Sequence, residues 1–257
     1  MKSISSRDNP QIKAWRRLAQ DSTAYRKAGQ FWLEGDHLCR AALERGVRPL
    51  QVVLTESLQA EQGNPWQGLT DQVFVVPEAL FTSLSGLESP ARMGFVVAWQ
   101  AVREVLPDAA TVVLDRLQDA GNVGAILRCA SAFGYRQVLA IKGTAALWSP
   151  KVMRSGMGAH FGLHLVEALS ESDVATLRVP LLTTSSHEGP FLHALLKASD
   201  LPQHCAWVFG HEGQGVSASL MAMARHPVRI AQPGGEESLN VATAAAICLH
   251  ASATAGP

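Results

Sequence analysis

Three polar segments of this 257-residue chain contain residue types that could carry chemistry. The first follows an apolar run at 111–114 and contains Asn122, Gly124 and Arg128. Asparagine is a good helix N-cap and glycine lets a ligand approach the backbone closely, so we expect a helix that begins near Asn122. Arg128 would lie one to two turns into that helix. A capped helix with a solvated arginine explains this segment equally well.

The second segment follows the apolar run 207–209 and contains Gly210, Glu212, Gly213 and Gly215. Its glycines permit positive φ angles and a tight backbone nest. The segment lacks both the Gly-Lys-Ser/Thr sequence of a Walker A loop and the GxGxxG pattern of dinucleotide-binding folds. On its own it is therefore a weak indication of a ligand site.

The third segment runs from Ile230 through a Pro-Gly-Gly turn at 233–235 into an alanine-rich helix. Ser238 is the predicted N-cap of that helix, whose small residues allow close packing. For Asn240, a well-capped terminal helix without a chemical role is the alternative interpretation.

The predicted elements place these segments at the ends of strands. From residue 111 onward, short β-branched runs alternate with glycine-rich turns and helical segments; the runs are 111–114, 137–141, 179–183, 207–209 and 228–231. Such runs predict an α/β layer with a largely parallel sheet. Ligands of these sheets bind beyond the carboxyl ends of the strands.

The first hundred residues also alternate between helical and strand patterns. An Asn-Pro pair followed by Ile12, Trp15 and Leu18 predicts an amphipathic helix. Strands are predicted at 31–33, 50–54, 72–76 and 94–99, and helices at 35–45 and from residue 77. Turn formers at 103–110 predict a boundary between a domain at 1–100 and a second domain at 111–257.

Charge is distributed unevenly, although the totals cancel. The chain has 22 Lys and Arg residues and 22 Asp and Glu residues, so no global basic excess marks a nucleic-acid binder. Residues 1–50 nevertheless carry ten basic and five acidic side chains. This asymmetry indicates a basic module joined to a near-neutral one.

Composition excludes several classes of protein. A hydrophobic content of 47 % with 17 % charged residues excludes a disordered chain. The N-terminus lacks the apolar region of a secretory signal, and no apolar run approaches the roughly 18–20 residues of a membrane span. The four cysteines form no CxxC pair, which fits a reducing compartment. We therefore expect a cytoplasmic protein without a membrane or metal partner. His160 and His164 have a spacing that would suit a metal on a helix, but a structural role is favoured for both.

Taken together, the three segments resemble the signature motifs of the SpoU, or TrmH-like, family of RNA ribose 2′-O-methyltransferases. The matching elements are Asn122-x-Gly124-x-x-x-Arg128, Gly210-x-Glu212-x-x-Gly215, and Ile230 followed by Gly234 and Glu237-Ser238-Leu239-Asn240-Val241. The match is specific because three uncommon patterns coincide in the expected order.

The resemblance is looser before residue 111. Ser5-x-x-x-Asn9-Pro10 and Glu34-Gly35 resemble the substrate-binding domain often fused to this family. Three residues depart from the family pattern, namely His211, Ala231 and Gln232. These departures affect loop stiffness more than chemistry.

The resemblance implies a C-terminal trefoil-knotted SPOUT-type methyltransferase domain, S-adenosyl-L-methionine as cofactor, a homodimer and no metal, with a smaller N-terminal α/β domain that binds RNA. By motif matching, Gly210, Ile230 and Leu239 line the cofactor pocket, with Thr183 and Thr184 as further neighbours. The implied catalytic cluster consists of Asn122, Arg128, Glu212, Ser238 and Asn240.

The implied chemistry is alignment of an activated sulfonium methyl group with a ribose 2′-oxygen, together with loss of a proton. A guanidinium is effectively never deprotonated in proteins. We therefore expect Arg128 to stabilise the developing alkoxide and hold the adjacent phosphate, while solvent or an RNA phosphate takes the proton. Ser238 and Asn240 would orient Arg128 or the ribose, and Glu212 would fix the loop by accepting hydrogen bonds from backbone groups or Asn122.

Two groups of cations are expected to bind RNA phosphates. The first group is N-terminal and comprises Lys13, Arg16, Arg17, Arg26 and Lys27; the second comprises Lys151 and Arg154, for which a solvated helix start is the alternative. Ribosomal RNA is expected rather than transfer RNA, because relatives with such an N-terminal extension commonly modify it. The alternatives are a transfer-RNA ribose methyltransferase, a base methyltransferase, and a catalytically silent RNA-binding or ribosome-assembly protein on the same fold. A nucleotide-dependent oxidoreductase is disfavoured because its glycine fingerprint is missing.

Overall fold

The computed structural model of this chain describes residues 1–62, 66, 68–86, 89–234 and 238–255. Glu237, which belongs to the third predicted motif, lies outside the described residues. Contacts within the chain define two compact units, Met1–Ala101 with Trp148–Phe161 and Val102–Leu147 with Gly162–Pro257.

The first hundred residues contain five strands and five helices among the described positions. In chain order they are β1 (Lys2–Ser3), α1 (Pro10–Gln20), α2 (Ala24–Ala28), β2 (Gln30–Glu34), α3 (Asp36–Glu44), β3 (Pro49–Thr55), α4 (Glu56–Gln62), β4 (Val73–Val76), α5 (Glu78–Leu84) and β5 (Met93–Ala98).

The remaining elements alternate strands with helices. In chain order they are β6 (Thr111–Asp115), α6 (Ala120–Ala132), β7 (Gln137–Ile141), α7 (Pro150–Gly156), a 3-10 helix (Ala159–Gly162), β8 (His164–Leu169), α8 (Glu171–Val174), β9 (Leu181–Thr184), α9 (Leu192–Lys197), β10 (Ala206–Gly210), α10 (Ala218–Met223), β11 (His226–Val228) and α11 (Val241–Thr254).

The first unit is built on a mixed sheet with the strand order β1-β4-β3-β5-β2. β5 runs antiparallel to β2 and β3, whereas β4 runs parallel to β1 and β3. The predicted amphipathic helix is confirmed as α1: Asn9 caps it, and Ile12, Trp15 and Leu18 are buried. Burying Ile12 and Leu18 contributes roughly 1.5–3 kcal/mol each to the stability of this unit.

The helix α7 belongs to the first unit, although it lies between two strands of the second unit in sequence. It packs against α1 and β2. Just before it, the Trp148 ring lies 4.9 Å from the Phe31 ring, centre to centre. The Ser149 side chain caps α7 by accepting the N–H of Val152.

The second unit is built on a sheet with the strand order β11-β9-β10-β6-β7-β8, in which every pairing is parallel. This confirms the predicted parallel sheet. Every residue of β6, β7 and β10 is buried, as expected for strands covered on both faces. Because Gly210 pairs in register with Asp115, the first and second polar segments begin at the same level of one sheet edge.

Some elements differ from the prediction. The last strand, β11, ends at Val228, whereas 228–231 was the predicted run. β8 corresponds to no predicted strand; Ala168 interrupts its extended backbone with a φ of 59°. His164 lies in β8 and His160 in the 3-10 helix, so the two histidines are not four residues apart on one helix, as their metal-compatible spacing assumed. Among the described residues, no helix is long and apolar enough to cross a lipid bilayer.

Candidate active site

A chain of hydrogen bonds joins the three polar segments. Nδ2 of Asn240 donates to Oδ1 of Asn122 at 3.0 Å, and Nδ2 of Asn122 donates to Oε1 of Glu212 at 3.3 Å. Three of the five predicted catalytic residues are thus in direct contact. Their catalytic roles stay predictions.

Glu212 fixes its own loop against the start of α6. Its carboxylate accepts the N–H of Gln118 at 3.3 Å and that of Asp119 at 3.2 Å. Burial raises the pKa of this carboxyl, but hydrogen bonds from its own backbone N–H, from those of Asp119 and Gln118, and from the Asn122 side chain outweigh burial and lower the pKa below its ordinary value. The prediction that Glu212 accepts hydrogen bonds from backbone groups and Asn122 is confirmed.

The caps of the two site helices differ from those predicted. Asp119, not Asn122, is the N-cap of α6, and its carboxylate accepts the N–H of Asn122 at 2.7 Å. Asn240, not Ser238, is the N-cap of α11, where its Oδ1 accepts the N–H groups of Ala242 and Thr243. Asn240 caps its helix through Oδ1, and Asn122 does not cap a helix. The Nδ2 group of each asparagine is therefore the donor in the chain of hydrogen bonds.

Arg128 and Ser238 do not join this chain of hydrogen bonds. Arg128 is exposed on α6, six residues and about 9 Å along the helix axis from Asn122. Within the described part of the chain, its guanidinium has no hydrogen bond or ion pair. Asn240 caps α11 and binds Asn122, and its role in orienting Arg128 or the ribose stays a prediction.

Gly210 ends β10 where the following loop folds back onto it. A Cβ atom at this position would overlap the backbone of Gly215 and Val216, far inside van der Waals contact. The glycine is therefore required by the return of its own loop. The N–H of Gly215 donates to the carbonyl of His211 at 2.8 Å and closes that loop.

The predicted cofactor neighbours lie at the ends of neighbouring strands. Thr183 and Thr184 end β9, and Ile230 follows β11 by two residues. The Thr183 hydroxyl and the Gln232 side-chain oxygen are buried without a hydrogen-bond partner among the described residues. Leu239 is 38 % exposed. A partly exposed apolar side chain and buried polar atoms without partners among the described residues are groups that fit the adenosine part of S-adenosylmethionine. Its base is flat and apolar and carries hydrogen-bonding groups at its edge.

Asp115 and Arg116 were missed from the sequence. Asp115 is the last residue of β6, and its side chain is fully buried. Its carboxylate accepts the N–H of Ser217 at 2.7 Å and forms an ion pair with Nε of Arg116 at 2.8 Å. Arg116 has a φ of 60° and reaches Gln214 Oε1 at 3.1 Å. These contacts hold the loop that carries Glu212. A carboxylate at the end of a buried strand was the available sequence signal.

The predicted RNA-binding cations are in different environments. Lys13, Arg16 and Arg17 line a surface cavity of about 380 Å³ together with Gln20 and Asp21. Arg16 is held in place, because its guanidinium donates to the carbonyl and hydroxyl of Ser83 at 3.2 and 3.1 Å. Lys151 and Arg154 are exposed on α7 in the first unit.

No group of three or more His, Cys, Asp or Glu side chains within the described ranges is arranged to hold a metal ion. All four cysteines are free thiols.

The segment that contains the hydrogen-bond chain matches a known protein family. Residues 109–250 match the model of the SpoU rRNA methylase family, and residues 9–94 match that of the MRM3-like substrate binding domain. The chain belongs to the SpoU family. SpoU membership confirms the predicted fold class, the enzyme class of RNA methyltransferase, and S-adenosylmethionine as cofactor; the family also implies the trefoil knot.

Individual SpoU relatives match over nearly the full length. The 23S rRNA (guanosine(2553)-2′-O)-methyltransferase RlmP of Bacillus subtilis strain 168 is 31 % identical, over 97 % of this chain and 98 % of that protein. The 23S rRNA (uridine(2479)-2′-O)-methyltransferase of Streptomyces viridochromogenes is 27 % identical, over 96 % and 90 %. The crystal structure of an AdoMet-bound rRNA methyltransferase from Sinorhizobium meliloti gives a TM-score of 0.81 at 25 % identity, over 97 % and 96 %.

Proposed function

We propose that this chain transfers a methyl group from S-adenosylmethionine to a ribose 2′-hydroxyl of ribosomal RNA. The observation that carries the proposal is the hydrogen-bond chain from Asn240 through Asn122 to Glu212, which assembles the three motifs at one sheet edge. Two relatives that match nearly the whole chain are named for 2′-O-methylation of 23S rRNA, one at a guanosine and one at a uridine. These names support ribose and ribosomal RNA as the substrate class; transfer RNA is the alternative that the experiment distinguishes.

Cofactor binding falls to the loops after β9, β10 and β11. Leu239 and Ile230 offer apolar surface for an adenine ring, and Gly210 offers main-chain groups at the end of its strand. The unpaired Thr183 hydroxyl and Gln232 oxygen offer hydrogen bonds to polar edges of the cofactor. Thr184 is the neighbouring position at the end of β9.

S-adenosylmethionine, when bound, supplies a methyl group that its sulfonium already activates. The residues of this chain hold the 2′-oxygen in line and stabilise its developing charge. The exposed guanidinium of Arg128 stabilises the alkoxide and holds the adjacent phosphate, and the proton leaves to solvent or to an RNA phosphate. Asn122, Glu212 and Asn240 hold the N-termini of α6 and α11 in one geometry, and Ser238 contacts the ribose.

RNA docking and self-association complete the proposal. Lys13 and Arg17 contact RNA phosphates from the cavity on α1, and Lys151 and Arg154 do so from α7.

The enzyme works as a cytoplasmic homodimer. Ile247, which is 37 % exposed on α11, is a large apolar side chain that a second copy would cover.

The test is transfer of tritiated methyl from S-adenosylmethionine to purified ribosomal and transfer RNA, with calorimetric titration of the cofactor in parallel. We expect cofactor binding and label in ribosomal RNA, which digestion to nucleosides identifies as 2′-O-methylribose. Label in transfer RNA alone would move the substrate to the alternative class. RNA binding without cofactor binding, in a folded sample, would identify a catalytically silent RNA-binding protein.

A further inference from the structure

Phe191, His193 and Arg229 form another cluster of side chains in the second unit. We call it the aromatic–arginine cluster. Phe191, the N-cap of α9, pairs as an isolated parallel bridge with Arg229, which directly follows β11. The N–H of Leu192 donates to the carbonyl of Arg229 at 2.8 Å. Above this bridge, the guanidinium carbon of Arg229 lies 4.1 Å from the centre of the Phe191 ring. The backbone therefore places the two residues side by side.

The cluster exposes flat apolar surface to solvent. The Phe191 side chain is 37 % exposed, although it is a large hydrophobic residue. The His193 ring lies 5.4 Å from it at an interplanar angle of 17°, so the two rings are stacked. The stacked rings of Phe191 and His193 are both exposed, and Arg229 beside them is half-buried, so a further flat group can stack on this surface.

The charge of Arg229 is not compensated by a carboxylate among the described residues. Its Nε donates to the carbonyl of Gly189 at 2.8 Å, which holds the guanidinium over the ring. By contrast Arg225, four residues earlier, forms an ion pair with Asp200 at 2.7 Å. The terminal N–H groups of Arg229 therefore remain available to a phosphate or to acceptor atoms of a base.

The cluster lies on the same sheet edge as the hydrogen-bond chain. The strands β9, β10 and β11 are parallel neighbours, so their carboxyl ends share one edge with that of β6. Arg229 follows β11 directly and precedes Ile230 of the third motif. Both sites are therefore reached from the same edge of the sheet.

We propose that the aromatic–arginine cluster binds an unpaired base of the RNA substrate by stacking, with Arg229 contacting its phosphate or base edge. This inference rests on the proposed function, because it assumes that the substrate is RNA. Unstacked bases bind to aromatic and guanidinium planes, whereas the base faces of an A-form duplex are hidden inside the helix. The cluster therefore selects single-stranded or looped RNA over duplex RNA.

The test compares Phe191→Leu with wild type in binding a labelled oligouridine and a labelled RNA duplex, measured by fluorescence anisotropy. We expect F191L to lose affinity for the single strand by roughly 5- to 150-fold, the range for one stacked base, and to keep its affinity for the duplex. Phe191→Tyr keeps the ring and should retain wild-type affinity for both probes. Leu196→Ala is the matched control, because Leu196 is an equally exposed apolar residue of α9.

Equal losses on both probes, or no loss, would overturn the proposal and leave the cluster as a clamp for its loop. Calorimetric titration of S-adenosylmethionine into F191L distinguishes the loss of a stacking surface from a displaced loop, since a displaced loop would also weaken cofactor binding. Failure of the proposed function is distinguishable: wild-type protein would then not methylate ribosomal RNA, whatever the difference between the two RNA probes.

Discussion

The Asn240 side chain donates a 3.0 Å hydrogen bond to that of Asn122, 118 residues earlier in the chain. Asn240 caps α11 and Asn122 lies in the first turn of α6, so the bond joins the N-terminal ends of two helices. Each end carries roughly half a positive charge. Glu212 contacts Asn122 at the start of α6, and its lowered pKa keeps a negative charge there.

Asn240→Asp separates capping from the contact with Asn122. The aspartate keeps the oxygen that caps α11 but cannot donate to Asn122. We expect its unfolding free energy to stay within about 0.5 kcal/mol of wild type, while methyl transfer falls about tenfold. Asn240→Ala should additionally lose about 1 kcal/mol of stability with the cap. Urea unfolding and tritium transfer measure the two effects; wild-type turnover in N240D would remove this contact from the mechanism.

Glu212→Gln should change stability in a pH-dependent way. Because the folded-state pKa of Glu212 is lowered, its carboxylate contributes stability above its ordinary value of 4.5, and that contribution disappears as the pH falls through the folded value. We expect wild type to be more stable than E212Q at neutral pH, with a difference that shrinks in the acid range. Glu188→Gln is the control for an exposed glutamate of the same unit. A pH-independent difference in urea unfolding would contradict the assignment.

Gly210→Ala should displace the loop that carries Glu212. The added Cβ overlaps backbone atoms of Gly215 and Val216, which cannot rotate away. We expect a loss of about 1–3 kcal/mol in stability, as for overpacked cores, together with weaker cofactor binding. Gly213→Ala is the matched control in the same loop, since a Cβ atom added at Gly213 would lie 3.8 Å from its nearest neighbour. Thermal unfolding and calorimetry should separate the two variants; similar behaviour would show that the loop tolerates the clash.

Arg128→Ala should abolish methyl transfer without a large change in cofactor affinity. Removing one group that stabilises a developing negative charge costs roughly 100- to 1,000-fold in rate. Since Arg128 is exposed and unpaired among the described residues, stability should remain near that of wild type. Arg136→Ala removes another exposed arginine of the same unit and should be active. Single-turnover transfer assays measure the effect, and normal turnover in R128A would exclude Arg128 from the mechanism.

Lys13→Ala combined with Arg17→Ala should weaken RNA binding in a salt-dependent way. Each lost phosphate contact reduces the slope of log affinity against log salt by about 0.7–0.9. Arg16 is left intact because its bonds to Ser83 stabilise the first unit. Arg45→Ala with Arg48→Ala removes two exposed cations elsewhere in that unit as a control. An unchanged slope would place the docking surface on other residues.

The sequence by itself determined the element types and the chemical groups of the site. Buried β-branched runs predict the parallel sheet, because strands covered on both faces have no polar alternation. The spacing of Ile12, Trp15 and Leu18 predicts α1, and asparagine, glycine and glutamate at motif spacing indicate the site. These inferences use only local periodicity and residue chemistry.

Only the tertiary structure decided how those groups are used. Asp119 and Asn122 are both good N-caps, and the choice between them depends on where β6 ends and on the position of Glu212. Arg16 was predicted to bind RNA, which stays a prediction, and only the fold shows that its guanidinium also donates to Ser83, 67 residues later. The contact between Asn122 and Asn240 likewise depends on the relative positions of two helices. Hydrogen bonds between distant residues follow from packing, which no local pattern encodes.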